Sequence, residues 1–389
     1  MARRPIDRNG IRLPEGFTSR VVARASEPVE GSDLVWHVFP DGGACFPTDD
    51  GGWVYASNSE MPNGAGGVGA IRFAPDGAIV DAYRLLTGTS VNCAGGATPW
   101  GTWLSCEEVE QGRVWECDPQ GPGEGTARPA LGAFVHEAVA VDADGERLYL
   151  TEDRPDGRLY RFTPRSYPSL DDGLLEVAAV DGDGAVTWLE VPDPTAADQP
   201  CRLQVPASTP FDGGEGIVLH DGAVFFTTKG DDHVRRYDPA AETMAVVYDG
   251  SGELRGVDNV TATPTGRLLV AEDGDDLQLV LVDPSSGRLE PFLQVADNPK
   301  SELAGPAFSP DGSRLYFSSQ RGGPGGIGTT FEVTGPFVPE APVPPLPKAP
   351  EGDDGGIPWV VPSAGTAVLL AGAAGVWRLR TRRARAVGS

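Results

Sequence analysis

Asp144-Gly145-Glu146-Arg147-Leu148-Tyr149-Leu150-Thr151-Glu152-Asp153 passes from an Asp-Gly turn into a short β-favouring run and stops on two adjacent acids. Turn chemistry, then an apolar run, then a polar stop is the pattern of a short strand. The same order recurs at Asp50-Gly51-Gly52-Trp53-Val54-Tyr55, Ala97-Thr98-Pro99-Trp100-Gly101-Thr102-Trp103-Leu104, Asp221-Gly222-Ala223-Val224-Phe225-Phe226, Thr265-Gly266-Arg267-Leu268-Leu269-Val270 and Asp311-Gly312-Ser313-Arg314-Leu315-Tyr316-Phe317. Taking Trp53, Trp103, Leu148, Val224, Leu268 and Leu315 as markers gives spacings of 50, 45, 76, 44 and 47 residues. Four of these match a propeller blade of roughly 40–50 residues, and six units predict an all-β, six-bladed β-propeller over residues 1–335. The long interval contains an insertion rich in Pro, Asp and Ala, about 164–210.

The bulk composition agrees. A chain of 389 residues with 40% hydrophobic residues can bury a substantial core, and its 52 glycines and 36 prolines sit between short apolar runs, as in a turn-rich β fold. The net charge of -25 argues against nucleic-acid binding through a basic face and supplies many oxygen ligands for hard cations. Cys45, Cys93, Cys106, Cys117 and Cys201 are odd in number and lack CxxC spacing, so no disulfide framework or zinc ribbon is legible. No P-loop, GxSxG elbow or HExxH stretch is present.

Acids gather where strands stop. If residues just past the first strand of each blade face one another around the channel, then Glu60, Cys106-Glu107-Glu108, Glu152-Asp153, Lys229, Glu272-Asp273 and Ser319-Gln320 become neighbours. The segments leading into the blades add Glu137, Glu215, Asp258-Asn259 and Glu302. So many carboxylates on one channel would repel by several kcal/mol unless cations neutralised them, which predicts a multi-metal cluster. A thiolate suits a transition metal, and carboxylates suit calcium. The plainer reading is that Asp-Gly turns cap backbone N–H groups, that Cys106 is a small buried hydrophobe, and that His136 is structural.

Two segments, NCAGGATPWGTWLSCEE (92–108) and HEAVAVDADGERLYLTEDR (136–154), resemble the PhoX-type alkaline phosphatase family, and DGGEGIVL, GVDNVTATPTGRLLVAED and SELAGPAFSPDGSRLYFSSQ extend the resemblance over roughly residues 40–332. It implies a six-bladed propeller whose central funnel holds iron and calcium (Fe3+ and Ca2+) and hydrolyses a small-molecule phosphate ester. Carried onto this chain, the implied metal ligands are Glu60, Cys106, Glu107, Glu137, Glu152, Asp153, Glu215, Asp258, Asn259, Glu272, Asp273 and Glu302, with the thiol of the first motif on iron. Glu137, Lys229 and Arg255 are the implied catalytic groups. Three departures stand out: Asn58-Ser59-Glu60 where the family commonly has Asn-His-Glu, Gly213-Gly214-Glu215-Gly216 where it has Arg-Pro-Glu-Gly, and a shorter chain. Arg255, Arg154 or Lys229 could replace the lost clamp. The alternatives are a non-catalytic calcium-binding propeller with a partner-binding face, and a calcium-dependent lactonase-like hydrolase that would not need Cys106.

From Pro336 the composition changes. Residues 336–354 read as a Pro-rich linker, 355–377 carry no charge, and a basic tail, 378–389, follows. An uncharged run of that length followed by arginines predicts a transmembrane anchor with a cytoplasmic C-terminus and an extracytoplasmic, monomeric propeller. Met1–Arg8 has no apolar signal core, so an export signal is expected upstream.

Overall fold

The computed structural model describes residues 4–337 apart from 275, 297–299 and 322–323. Its strands form six antiparallel sheets, the six blades of the expected propeller. Blade I comprises Pro40–Pro47, Trp53–Ser59, Gly66–Phe73 and Ile79–Thr89, and blade II Asn92–Ala97, Trp103–Glu107, Val114–Cys117 and Thr126–Ala127. Blade III comprises His136–Asp142, Arg147–Glu152, Leu159–Pro164, Gly173–Val180 and Val186–Glu190, and blade IV Gly214–His220, Ala223–Thr228, His233–Asp238 and Thr243–Asp249. Blade V runs Val257–Ala262, Leu268–Glu272, Gln278–Val282 and Leu289–Val295, with Ile11–Arg12 added at its edge. Blade VI runs Leu303–Phe308, Arg314–Ser319 and Thr329–Thr334, and its fourth strand is Thr18–Arg24 from the N-terminus. The stretch 164–210 supplies the fourth and fifth strands of blade III and a short helix, Cys201–Gln204.

Alternation within each strand sends apolar side chains to the joints between blades, and among the described residues each joint has its own apolar cluster. At the joint of blades VI and I, Tyr55 stacks on Tyr316 with centroids 5.1 Å apart, and Trp53 Nε1 donates to the Tyr316 hydroxyl at 3.1 Å. Such buried ring pairs add about 0.5–1.5 kcal/mol beyond the area they cover.

The turn-then-strand markers begin the second strand of each blade, not the innermost one. The strands against the channel are those preceding them: 40–47, 92–97, 136–142, 214–220, 257–262 and 303–308. They are rich in Gly and Ala because they crowd one another. A Cβ on Gly42 would lie 2.5 Å from Ala94 Cα, and one on Gly216 2.5 Å from Val260 N. Below the polar mouth they enclose a cavity of about 360 Å³ lined by backbone and small apolar side chains such as Ala94, Ala138 and Ala307.

The predicted anchor, 355–377, and the Pro-rich stretch from Val338 lie outside the described residues. Among the described residues no helix is long and apolar enough to cross a membrane.

Candidate metal centre at the channel mouth

Each innermost strand slips register near its start. Asn92 pairs with Glu107 but the next pair is Gly95 with Ser105, and the same shift separates Pro40 from Gly43, His136 from Val139, Gly214 from Ile217 and Val257 from Val260. A β-bulge re-aims the side chain it frees. The freed second residue is Asp41, Cys93, Glu137, Glu215 or Asp258, so five blades place a ligand-type side chain at one level of the channel. In blade VI the slip falls one residue later, between Ala304 and Ala307, and Glu302 provides the carboxylate.

A second tier comes from the residue just after each second strand: Glu60, Glu108, Asp153, Lys229, Asp273 and Gln320. Together the tiers bring ligand atoms within 4.8 Å of one another in four groups: Cys93–Glu108–Glu137, Asp41–Glu60–Glu302, Glu137–Glu215–Asp258 and Asp258–Asp273–Glu302. The Cys93 thiol donates to Glu137 Oε1 at 3.3 Å, while Glu137 Oε2, in a fully buried residue, has no hydrogen-bond partner. Gln320 Nε2 donates to Asp41 and, at 2.8 Å, to Glu60. Arg321 spans Glu302 at 2.6 Å and Glu60 at 3.2 Å. Lys229 Nζ lies 3.0 Å from Glu215, 3.3 Å from Asp258 and 3.2 Å from Asp273.

Electrostatics follow from burial and like charge. Burial, then the carboxylates of Glu215, Glu108 and Asp258, hold Glu137 well above the usual carboxylate range. Burial and Asp153 push Glu108 up to about 9, and burial and Asp258 push Glu302 up to about 8. Burial, then Asp41 and Glu137, raises the Cys93 thiol. Burial pulls Lys229 down, but Asp258, Glu215 and Asp273 together outweigh it and keep the ammonium charged. Without cations beyond Lys229 and Arg321, these acids must hold protons at neutral pH. A group of soft and hard donors with an unpartnered buried oxygen is what a bound metal ion would satisfy, so the residues fit a metal centre.

The structure separates the expected ligands. Glu60, Glu137, Glu215, Asp258, Asp273 and Glu302 belong to the groups, and Asp153 faces Glu108. Cys106 does not: it points into the apolar joint of blades II and III with Leu104 and Val114. Glu107, Glu152 and Glu272 end second strands, and period-two alternation turns them away from the channel. Glu107 accepts from Ser90 N at 3.0 Å and Trp115 Nε1 at 2.9 Å, and Glu272 from Gln278 N at 3.0 Å. Glu152 accepts from the Tyr160 hydroxyl at 2.8 Å and from Arg202 at 3.2 Å, and burial opposed by these two brings it to about 7. Asn259 spends its amide on Asp258 and Gly305 N, orienting the acid beside it. Arg255 is half exposed and bonds the Gly250 and Leu254 carbonyls, away from the acid groups. His136 is buried on the Phe134 ring, its Nε2–H donating to Gly132 O at 3.1 Å, and burial lowers it to about 3.

Asp41, Cys93 and Arg321 were not among the expected site residues, and Glu108 and Gln320 were expected only as channel neighbours. The signal for the first two is an acid or thiol followed by a small residue just upstream of each marker strand, as in Asp41-Gly42, Cys93-Ala94, Glu137-Ala138 and Glu215-Gly216.

Fold and site thus define a six-bladed propeller with an acid- and thiol-lined mouth. A sequence model of the family described as alkaline phosphatase PhoX matches residues 55–323. The chain belongs to the PhoX alkaline phosphatase family, which makes it a phosphatase-type propeller hydrolase. PhoX of Pseudomonas fluorescens, solved in complex with vanadate, a transition state analogue, superposes with a TM-score of 0.69 at 20% identity, covering 84% of this chain and 96% of that one. A protein of unknown function from Dyadobacter fermentans matches with a TM-score of 0.52 at 11% identity over 84% and 99%. A gluconolactonase from Xanthomonas campestris is more distant, with a TM-score of 0.48 at 13% identity over 86% and 97%. No curated protein sequence matches the chain.

Proposed function

We propose that the chain hydrolyses phosphate esters at the channel mouth, using metal ions held by Cys93, Glu108 and Glu137 and by Asp41, Glu60 and Glu302. The observation that carries this reading is Glu137 Oε2, fully buried, unpartnered and surrounded by other carboxylates. The thiol-bearing group suits iron and the all-oxygen group suits calcium. Bound ions would supply Lewis acidity and neutralise charge on the phosphoryl oxygens.

The chain's own residues prepare the substrate site. Arg321, two-fifths exposed at the rim, offers a guanidinium to a phosphate oxygen while its contacts to Glu302 and Glu60 fix its direction. Gln320 holds Asp41 and Glu60 in place from the same turn. The Glu152–Arg202 pair ties the blade III insertion to the mouth, and Arg202 also bonds Glu110, which pairs with Arg154 at 3.0 Å. Arg154 is thereby held near the rim as a second guanidinium. An extracytoplasmic site with residues 355–377 as a membrane anchor is part of this proposal, supported by the uncharged run and the arginines after it.

The test is hydrolysis of a chromogenic phosphate monoester by the full chain loaded with iron and calcium, against Glu137→Gln and Cys93→Ala. Loss of turnover in both supports the reading. Metal-loaded protein that turns over no phosphate ester would refute it, and turnover of a lactone instead would favour the calcium-dependent alternative.

A further inference from the structure

The four ligand groups are not equivalent. Among the described residues the Cys93–Glu108–Glu137 group has no ion pair to a cationic side chain, although Glu137, which carries the unpartnered oxygen, is shared with the Glu137–Glu215–Asp258 group. On the wall built by blades IV and V, Lys229 Nζ reaches Glu215, Asp258 and Asp273 at 3.0, 3.3 and 3.2 Å. Those acids come from three different strand ends. They are also the members through which the groups Glu137–Glu215–Asp258 and Asp258–Asp273–Glu302 hold together.

The fork is built around the lysine. Lys229 opens the turn Lys229–Asp231 directly after the second strand of blade IV, and its backbone N–H bonds to Gly213 O at 2.8 Å. Gly213, whose carbonyl takes that bond, has φ +68°, a backbone conformation that favours glycine. Separations of 3.0–3.3 Å are those of an ammonium ion-paired with carboxylates, whereas a calcium ion draws its oxygens to about 2.3–2.6 Å. One such fork holds one cation: an ion at its centre would stand against the ammonium and meet like-charge repulsion.

We propose that the Lys229 ammonium is a resident cation of the centre, occupying the blade IV–V wall in place of a metal ion and confining metal to the Cys93 side and to the joint of blades VI and I. This rests on the mouth being a metal centre. Arg321, by contrast, pairs with two acids, Glu302 and Glu60, and leaves Asp41 of that group without a cationic partner among the described residues.

The experiment measures metal bound per chain, by elemental analysis after loading the full-length protein with iron and calcium and desalting, with calcium titration calorimetry beside it. Lys229→Met keeps the length of the stem and removes the charge, and is expected to take up a further equivalent of calcium. Asp273→Asn, which lightens the same fork, is expected to lose no metal, and it decides the matter if Lys229→Met fails to fold. An unchanged or lower metal count in Lys229→Met, or metal lost from Asp273→Asn, overturns the inference while leaving the metal reading intact. Unchanged metal with weakened binding of vanadate or inorganic phosphate would likewise overturn it, making Lys229 a phosphate ligand. Wild-type protein that takes up no metal would sink the reading beneath both.

Discussion

Glu107 and Glu108 are neighbours in sequence and opposites in structure. Glu107, the last residue of its strand, finds two N–H donors inside blade II. Glu108, one residue on, faces the channel, shares a hydrogen bond with Asp153 and is pushed up to about 9. Glu152 and Asp153, and Glu272 and Asp273, divide the same way. The first acid of each pair stitches its blade together and the second contributes to the mouth. Adjacent acids on a strand end are therefore two separate populations, sorted by the two-residue period of the pleat.

Substitutions in the two populations should fail differently. Glu137→Gln, in the mouth, should lower phosphate-ester turnover by roughly 10²–10³-fold, the usual cost of losing one electrostatic contact at a reacting centre. It should also raise the melting temperature of the metal-free protein, because the buried glutamate must take up a proton to fold at neutral pH and glutamine need not. Glu152→Ala should do the reverse in the fold, costing about 1–3 kcal/mol by leaving the buried Tyr160 hydroxyl without its acceptor while Arg202 keeps Glu110 and Asp156, which denaturant unfolding of metal-free protein would read. A Glu152→Ala protein as stable as wild type would break the comparison.

The two cysteines sharpen it. Cys93→Ala should abolish iron uptake measured by elemental analysis, whereas Cys106→Ala should keep the metal and cost about 1 kcal/mol for a small cavity. The last comparison is with pH. Glu108 and Glu302, near 9 and 8 in the folded protein, hold protons that the unfolded chain releases from about 4.5 upward. The folded state binds more protons across that window, so metal-free stability should fall as pH rises from 5 to 9. Melting temperatures taken with and without calcium would check this, and metal should flatten the slope.

The blades were legible because their second and third strands carry apolar alternation and stand behind Asp-Gly turns. The innermost strands were not. Pro40-Asp41-Gly42-Gly43-Ala44 and Asn92-Cys93-Ala94-Gly95-Gly96-Ala97 read as loops, since the crowding that demands small residues erases the β signature. This displaced the expected ring outward by one strand. It sent attention to Cys106, in the β-patterned strand, and away from Cys93, in the strand that lines the channel. The bulges that aim Asp41, Cys93, Glu137, Glu215 and Asp258 leave no mark beyond a small residue on the C-terminal side in most of them. Lys229 and the acids Glu60, Glu137, Glu215, Asp258, Asp273 and Glu302 could be found because they flank recognisable strands.

The sheet that unites Thr18–Arg24 with Leu303–Phe308 joins an N-terminal segment to the last blade, and the joint beside it is where Asp41 and Glu60 meet Glu302. The chain enters blade I from that one strand of blade VI, whose other three strands come from residues 303–334 and are held to it by sheet hydrogen bonds rather than by a connecting loop. A cation lodged there would act as a rivet across the seam of the ring. Opening the seam would scatter its ligands, and losing the ion would free the seam, so loading with metal and keeping the circle shut become one equilibrium.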